Sequence, residues 1–160
     1  MFNTKNDLSE AVRAKAIALL NARLADAIDL QTQTKQAHWN VKGPSFIALH
    51  ELFDKVNEDV EDYVDDLAER AVQLGGVAEG TARMAAKRSS LSEYPTNTLD
   101  GRSHVEALST VLAAFGKSAR KAINDANDIS DLDTADLFTE ISRGVDKWLW
   151  FVEAHLQAER

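Results

Sequence analysis

Four side chains of metal-binding type form two pairs, each spaced like one turn of a helix. His50 and Asp54 are one pair, and Asp65 and Glu69 are the other. Residues four apart on an α-helix lie one above the other on the same face, so each pair can offer two ligands to one cation. Imidazole together with carboxylate suits Fe(II) or Zn(II). We therefore expect the reactive site of the chain in this stretch.

The two pairs cannot serve one cation within one chain. Asp54 and Asp65 are eleven residues apart, which is close to three helical turns, or ~16 Å at ~1.5 Å per residue. The separation disappears if a second copy of the helix packs antiparallel across a two-fold axis near Asp59 and Val60. The spacing therefore predicts an isologous dimer with two identical sites, each built from both chains.

A helical hairpin is predicted to carry these side chains. Residues 45–74 contain no glycine or proline, and two glycines directly follow them. The predicted buried stripe of this helix consists of the apolar residues that recur at helical spacing, which are Phe46, Leu49, Phe53, Val56, Val60, Val64, Leu67, Ala71 and Leu74. Pro44 favours a first helical turn, and the glycines favour a helix end. An earlier helix is predicted over residues 8–40, with Asp7 and Glu10 as a loose capping box. Because the turn between the two helices is short, they must form an antiparallel pair.

The sequence around the two pairs resembles that of a known family. It reads KQAHWNVxGPxFxxxHExFD over residues 35–54 and DxxAERxxxLGG over residues 65–76, with a weaker similarity, TADLFTxxSRxxDKxLWF, near the C-terminus. These motifs resemble those of the Dps family, the miniature ferritins named for DNA protection during starvation. The resemblance implies that the catalytic residues and metal ligands of a ferroxidase site are His38, His50, Asp54, Asp65 and Glu69.

The same resemblance implies a function and a set of partners. Copies of the chain would assemble into a hollow homo-oligomeric shell, a dodecamer. The shell would oxidise Fe(II) with hydrogen peroxide or dioxygen and store the ferric mineral, which protects the cell from oxidative damage. Iron is then the metal, and zinc is an alternative occupant of the same site. The alternative function is that of a nucleoid DNA-binding protein in which metal binding is secondary.

The second half of the chain predicts two more long helices, over residues 103–128 and 134–157, the last with Asp133 as its N-cap. The segment before them has weak helical patterning and a short helix over residues 81–89. Such a long connection is unusual, but a ferritin-type bundle needs one for its second and third helices to run parallel. The predicted fold is a single all-α domain, a ferritin-like four-helix bundle with one long crossover and a flexible N-terminus over residues 1–7.

Two other classes of metal site fit the sequence less well. His50 and Glu51 begin the zinc-protease motif HExxH, but Asp54 stands where its second histidine is needed. The Glu-x-x-His pairs that larger ferritins place on facing helices of one subunit are also missing. A site between subunits remains the best use of these ligands.

The composition predicts a cytoplasmic, soluble protein. There is no cysteine, so disulfides and thiolate metal sites are impossible. The chain starts without the features of a signal peptide, and no apolar run approaches the ~20 residues of a membrane helix. The net charge is −8; Lys5 is the only base among the first ten residues, and Arg160 is the only one added at the C-terminus. Because basic residues drive binding to nucleic acid, we expect weak DNA binding.

Five aspartates stand around the start of the last predicted helix, at positions 125, 128, 131, 133 and 136. Capping and a solvated loop account for each one singly. In the Dps family, carboxylates near the start of the last helix line a three-fold pore through which cations enter. The resemblance therefore makes Asp136 and Asp131 candidates for such a pore. Gly144 stands where the family often carries another aspartate.

Three further residues have open or unremarkable roles in the sequence. Trp39 follows His38 and is expected either to pack at an interface or to donate an electron. His104 and His155 belong to no group of ligands, and both are expected at the surface.

Overall fold

The chain forms a bundle of four long helices with one short helix on its crossover. A computed structural model describes residues 1–157. In these residues there are five helices and no strand; the helices are α1 Glu10–Asn40, α2 Phe46–Gln73, α3 Ala82–Arg88, α4 Gly101–Asp128 and α5 Leu132–Glu153. The predicted all-α fold is confirmed. Residues 158–160 lie outside the described residues, and Arg160, the base noted at the C-terminus, is one of them.

The crossover makes α2 and α4 parallel, as the sequence predicted. An isolated bridge joins Lys42, in the turn before α2, to Asp100, directly before α4. The starts of these two helices therefore lie at the same end of the bundle. α4 begins two residues earlier than predicted, because Asp100 caps it by accepting a 3.0 Å hydrogen bond from the Ser103 amide. α5 ends four residues before the predicted end, at Glu153.

Two helix caps differ from the predicted ones. α1 is capped by Ser9, whose side chain accepts from an amide of the first turn, and not by Asp7. α5 is capped by Asp131, which accepts from the Thr134 amide at 3.1 Å, and Asp133 lies in the first turn instead. In both helices the cap is the residue whose backbone leaves the helix and whose side chain reaches the third amide. Sequence spacing alone does not show which of several neighbouring polar residues is the N-cap.

The core lies between the four long helices and follows the helical period. The buried residues of α2 are Leu49, Phe53, Val56, Asn57, Val60, Leu67 and Ala71. All but Asn57 belong to the predicted stripe, and burying each large apolar side chain contributes roughly 1.5–3 kcal/mol. Phe46, which was predicted as part of the same stripe, is 40% exposed. Its exposure places an aromatic ring on the surface at the start of α2.

Polar side chains of α1 hold the crossover against the bundle. Asp26 is fully buried, pairs with Arg23 at 2.9 Å and accepts from the Ser90 amide at 2.7 Å. Asn21 donates to the carbonyl oxygen of Val77 at 3.0 Å. These bonds satisfy backbone groups that a long irregular connection would otherwise leave without partners.

His104 lies in the interior, so its predicted surface position was wrong. It is 1% exposed, and its Nδ1 is 2.6 Å from the hydroxyl of Tyr94 in the crossover. Burial lowers the pKa of His104 below its ordinary value. The His104 ring is buried because α4 starts early and the crossover packs over it. The hydrophobic period of the sequence did not include this residue. His155 is exposed, as expected.

The N-terminal residues lie against the end of α2. The Phe2 amide donates to the carbonyl oxygen of Gly75 at 2.7 Å. Gly75 has φ +86°, and a Cβ atom there would lie 2.6 Å from the Phe2 oxygen, so glycine is required on both grounds. Flexibility of residues 1–7 stays a prediction.

None of the helices in the described part of the chain combines the length and the apolar character needed to cross a membrane.

Candidate metal centre

His38 and His50 lock each other in place. His38 lies in the last turn of α1 and His50 in the second turn of α2, and their rings stack with centroids 3.7 Å apart. Nδ1 of His38 is 2.8 Å from the carbonyl oxygen of His50, and Nδ1 of His50 is 2.9 Å from that of His38. A carbonyl oxygen only accepts, so each Nδ1 carries a proton and donates. An imidazole that carries its proton on Nδ1 has a lone pair on Nε2 with which it can bind a metal.

Asp54 lies one turn after His50 and meets Lys35 of α1. The Lys35 ammonium contacts Oδ1 of Asp54, and Nδ1 of His38 is 3.8 Å from the same oxygen. The hydrogen bond from Lys35 lowers the pKa of Asp54 below its ordinary value, against an opposing effect of burial. The Asp54 side chain is therefore a carboxylate anion at neutral pH. His38, His50 and Asp54 are therefore neighbours at this point of the subunit, although their donor atoms are not grouped to hold a metal ion within residues 1–157.

Asp65 and Glu69 do not reach the other three predicted ligands. Both lie on the second half of α2, and both are exposed. Within residues 1–157 neither carboxylate forms an ion pair, and no three His, Asp or Glu side chains are grouped to hold a metal ion. The five predicted ligands therefore do not form one site within the subunit.

An apolar surface adjoins the two histidines. Trp39 is 69% exposed and Ile47 is 59% exposed, and the Phe46 ring lies 5.1 Å from the ring of His50. Exposed apolar side chains that cluster in this way mark interaction sites. The position of Trp39 suits packing against another molecule, and its alternative role as an electron donor stays a prediction.

The two candidate pore residues have different surroundings. Asp131 is 1% exposed, because it caps α5 and pairs with Arg70 at 3.0 Å. A carboxylate held in this way cannot line an open pore, so this assignment was wrong. Asp136 is exposed in the second turn of α5, and its place in a pore stays a prediction.

A second acidic region surrounds Tyr63 between α2 and α5. Burial, followed by the charges of Asp59 and Glu140, raises the pKa of Tyr63 to about 12. Burial and the neighbouring carboxylates, of which Glu140 contributes most, also raise the pKa of Asp66. The phenol therefore stays protonated at neutral pH.

Three residues of structural importance near the ligands were not predicted. Lys35 is three positions before His38, so helical spacing could have indicated that it shares a face with it. Tyr63 and Arg70 make their contacts with α5, whose distance along the chain leaves no local signal.

Comparison with known proteins gives a consistent relationship. The family model for the ferritin-like domain matches residues 17–160. The DNA protection during starvation protein of Agrobacterium fabrum is 46% identical over 154 residues, covering 96% of this chain and 95% of that protein. The protein of the same name from Mycolicibacterium smegmatis is 34% identical and covers 94% of this chain and 82% of that protein.

Solved structures agree with this relationship. The tetragonal form of Mycobacterium smegmatis Dps has a TM-score of 0.93 at 33% identity and covers 98% of this chain and 95% of that one. DpsA14 from Streptomyces coelicolor has a TM-score of 0.91 at 35% identity and covers 97% and 92%. Sequence and fold thus lead to one conclusion: the chain belongs to the Dps family of ferritin-like proteins.

Proposed function

We propose that this chain is a subunit of a hollow iron-storage shell in which Fe(II) is oxidised at sites shared by two subunits. The arrangement of His38, His50 and Asp54 carries the proposal, because it places two stacked imidazole rings next to an ionised carboxylate. This donor set suits Fe(II), and it would also accept zinc. Membership of the Dps family supports iron storage and protection as the general function.

A second subunit supplies Asp65 and Glu69 in this proposal. The two ligand pairs on α2 are equidistant from residues 59–60, so a two-fold axis there sets each pair against the other pair of the mate. The exposed rings of Trp39 and Phe46 lie beside the first pair and supply apolar area for the interface. An isologous interface uses the same patch twice, so one dimer has two complete sites.

The chemistry at such a site is electron transfer from iron to a small oxidant. Two ferrous ions each lose one electron, and hydrogen peroxide takes both electrons and two protons to give two water molecules. Delivering the electrons together avoids one-electron cleavage of peroxide, which would release hydroxyl radical. The protein holds the ligands in place and collects the ferric product inside the shell. Dioxygen is the alternative oxidant to hydrogen peroxide.

DNA binding is the weaker candidate function. The net charge of −8 opposes association with a polyanion. The first ten residues contain one base, Lys5, against the two acids Asp7 and Glu10. Few phosphate contacts are therefore available.

The function is tested by loading the assembled protein with Fe(II) without oxygen and then adding hydrogen peroxide. We expect rapid oxidation, iron that stays with the protein during gel filtration, and little hydroxyl radical in a spin-trapping assay. The proposal would be contradicted if Fe(II) were oxidised no faster with the protein than without it and no ferric mineral stayed with the protein.

A further inference from the structure

We propose that a row of contacts between α2 and α5 fixes the rotation of α2, and that Gly144 is the positioning residue which makes this row possible. We call the row the α2–α5 seam; it consists of the contacts Asp59 with Trp148, Tyr63 with Gly144, and Arg70 with Asp131 and Thr134. This role rests on the proposed function, because the seam acts by aiming the proposed metal ligands of α2.

The first contact of the seam is a charge-assisted hydrogen bond. Nε1 of Trp148 donates to Oδ2 of Asp59 at 2.7 Å, and the indole is 5% exposed. An indole nitrogen can only donate, and in this largely dry setting a carboxylate is a strong partner for it. The bond ties the middle of α2 to the second half of α5.

The second contact is a steric fit between Tyr63 and Gly144. A Cβ atom built on Gly144 would lie 1.9 Å from the hydroxyl oxygen of Tyr63 and 2.9 Å from Cζ. The phenol therefore occupies the space that any other residue at position 144 would need. Because Gly144 lies within a helix, where glycine is unfavourable by roughly 1 kcal/mol relative to alanine, a packing reason for it is expected.

The third contact is a buried ionic network around Arg70. Its Nη2 donates to Oδ1 of Asp131 at 3.0 Å, and its Nε donates to Oγ1 of Thr134 at 3.1 Å. The Thr134 hydroxyl in turn donates to Oδ2 of Asp131 at 2.6 Å. The planar guanidinium uses two fixed directions here, which lysine cannot reproduce. This network holds the last turn of α2 against the start of α5.

The three contacts share one stripe of α2 on the side away from the proposed ligands. Asp59, Tyr63 and Arg70 are four and seven residues apart, so they lie on one face of the helix. At about 100° per residue, this face is roughly 150° around the axis from the stripe of Asp54 and Asp65. The seam therefore contacts α5 on one face of α2, and the stripe of proposed ligands lies on nearly the opposite face.

Rotation of α2 is the movement to which a shared metal site is most sensitive. A side chain about 6 Å from the helix axis moves by about 2 Å when the helix turns by about 20°. Metal to ligand distances tolerate only about 0.2 Å. α2 packs mainly on α1, α5 packs mainly on α4, and few residues join α2 to α5 directly. Because α1 contacts α2 beside the proposed ligands, at Asp54 and His50, the seam adds a constraint on the other side of the helix and limits its rotation.

The test replaces Gly144 with alanine and uses Gly116→Ala as a matched control. Gly116 is a helical glycine of α4 that faces α5, but a Cβ atom there would meet its nearest neighbours, Asp146 and Val145, at an acceptable 3.4 Å. The assembled shells are compared by sedimentation, by calorimetric titration with Zn2+, and by kcat and KM for Fe(II).

We expect Gly144→Ala to form shells that bind Zn2+ about tenfold more weakly and have a raised KM for Fe(II), with a smaller change in kcat. Gly116→Ala should match the wild type. Adding Tyr63→Phe to Gly144→Ala removes the atom in closest conflict and should recover part of the lost affinity. If Gly144→Ala does not assemble, Arg70→Lys keeps the charge and should weaken Zn2+ binding in the same direction.

The outcomes separate the two proposals. Wild-type shells that neither bind Zn2+ nor oxidise iron would overturn the proposed function and the positioning role with it. If the wild type is active, normal Zn2+ binding by Gly144→Ala, or by Arg70→Lys where the alanine variant does not assemble, overturns the role of the seam alone. A loss in Gly144→Ala that Tyr63→Phe does not reduce also overturns it, because the conflict with the phenol is the stated cause.

Discussion

The ammonium group of Lys35 on α1 contacts Oδ1 of Asp54 on α2, the carboxylate that we propose as an iron ligand. A cation that binds Asp54 must approach or displace a positive charge that already neutralises it. Both side chains are partly exposed, so the solvent screens their attraction, and such a pair contributes about 0.2–1 kcal/mol. Lys35 therefore keeps Asp54 ionised while it competes with the metal for the same oxygen.

Removal of Lys35 should strengthen metal binding. We expect Lys35→Met to lower the Kd for Zn2+ about two- to fivefold at neutral pH, because the competing charge is worth up to about 1 kcal/mol. Calorimetric titration of the assembled protein measures this. Lys55→Met is the control, since Lys55 is exposed on α2 and forms no ion pair within residues 1–157. A weaker affinity in Lys35→Met would mean that Lys35 orders the site and does not compete with the metal.

Acid should destabilise the crossover through His104. Burial lowers the pKa of His104 in the folded chain, so the unfolded chain binds the proton more tightly. Stability from the neutral ring is present above the ordinary histidine pKa and decreases as the pH falls below about 6.5. The charges that bear on this ring are few: Asp100 faces it from its own helix and partly offsets the shift, and the Tyr94 hydroxyl is its neutral partner from the crossover.

Hydrogen exchange of the amides in residues 91–100 at pH 7 and pH 5 measures this effect. We expect the wild type to lose protection in the crossover at pH 5, and His104→Gln to change less between the two pH values, because glutamine stays neutral. Equal losses in both proteins would show that a group other than His104 is responsible.

The sequence predicted the architecture well because that information is local. The period of the buried residues on α2 and the glycines that follow the helix indicated its length within a few residues, and the long crossover indicated the parallel arrangement of α2 and α4. The caps were wrong where polar neighbours compete, as at Asp131 and Asp133. His104 was misplaced because its burial depends on a crossover that has no period of its own.

The candidate site was predictable only in part. The residue types and spacing of His50 and Asp54 indicated ligands, and the structure brings both next to His38. The contact of Asp54 with Lys35 and the fit of Tyr63 against Gly144 depend on how separate helices pack. Such contacts leave no pattern along the chain.

Assembly is expected because the proposed ligands cannot meet within one subunit. Sedimentation of the purified protein should find a closed oligomer of roughly twelve subunits, since isologous contacts combined with a second symmetry axis close a shell. A stable monomer that holds a complete metal site would contradict the shared-site proposal.

DNA should bind poorly at neutral pH and moderate salt. The acidic net charge opposes association with DNA, and the first ten residues supply only one basic group for phosphate. A gel-retardation assay with plasmid DNA and no divalent metal measures this. Salt-sensitive retardation at sub-micromolar protein would reveal a basic surface that exists only on the assembled shell.

The central claim, that two subunits share each metal site, is tested most directly by mixing two inactive variants. His50→Ala and Glu69→Ala each remove one proposed ligand without opening the core, so each should form intact shells that have nearly lost rapid oxidation of Fe(II) by peroxide. In a dimer of one variant with the other, one site lacks both residues and the other regains all five ligands. We expect shells reassembled from the mixture to recover part of the wild-type rate, in proportion to the fraction of mixed dimers. Verified mixed dimers with no recovered activity would contradict the account.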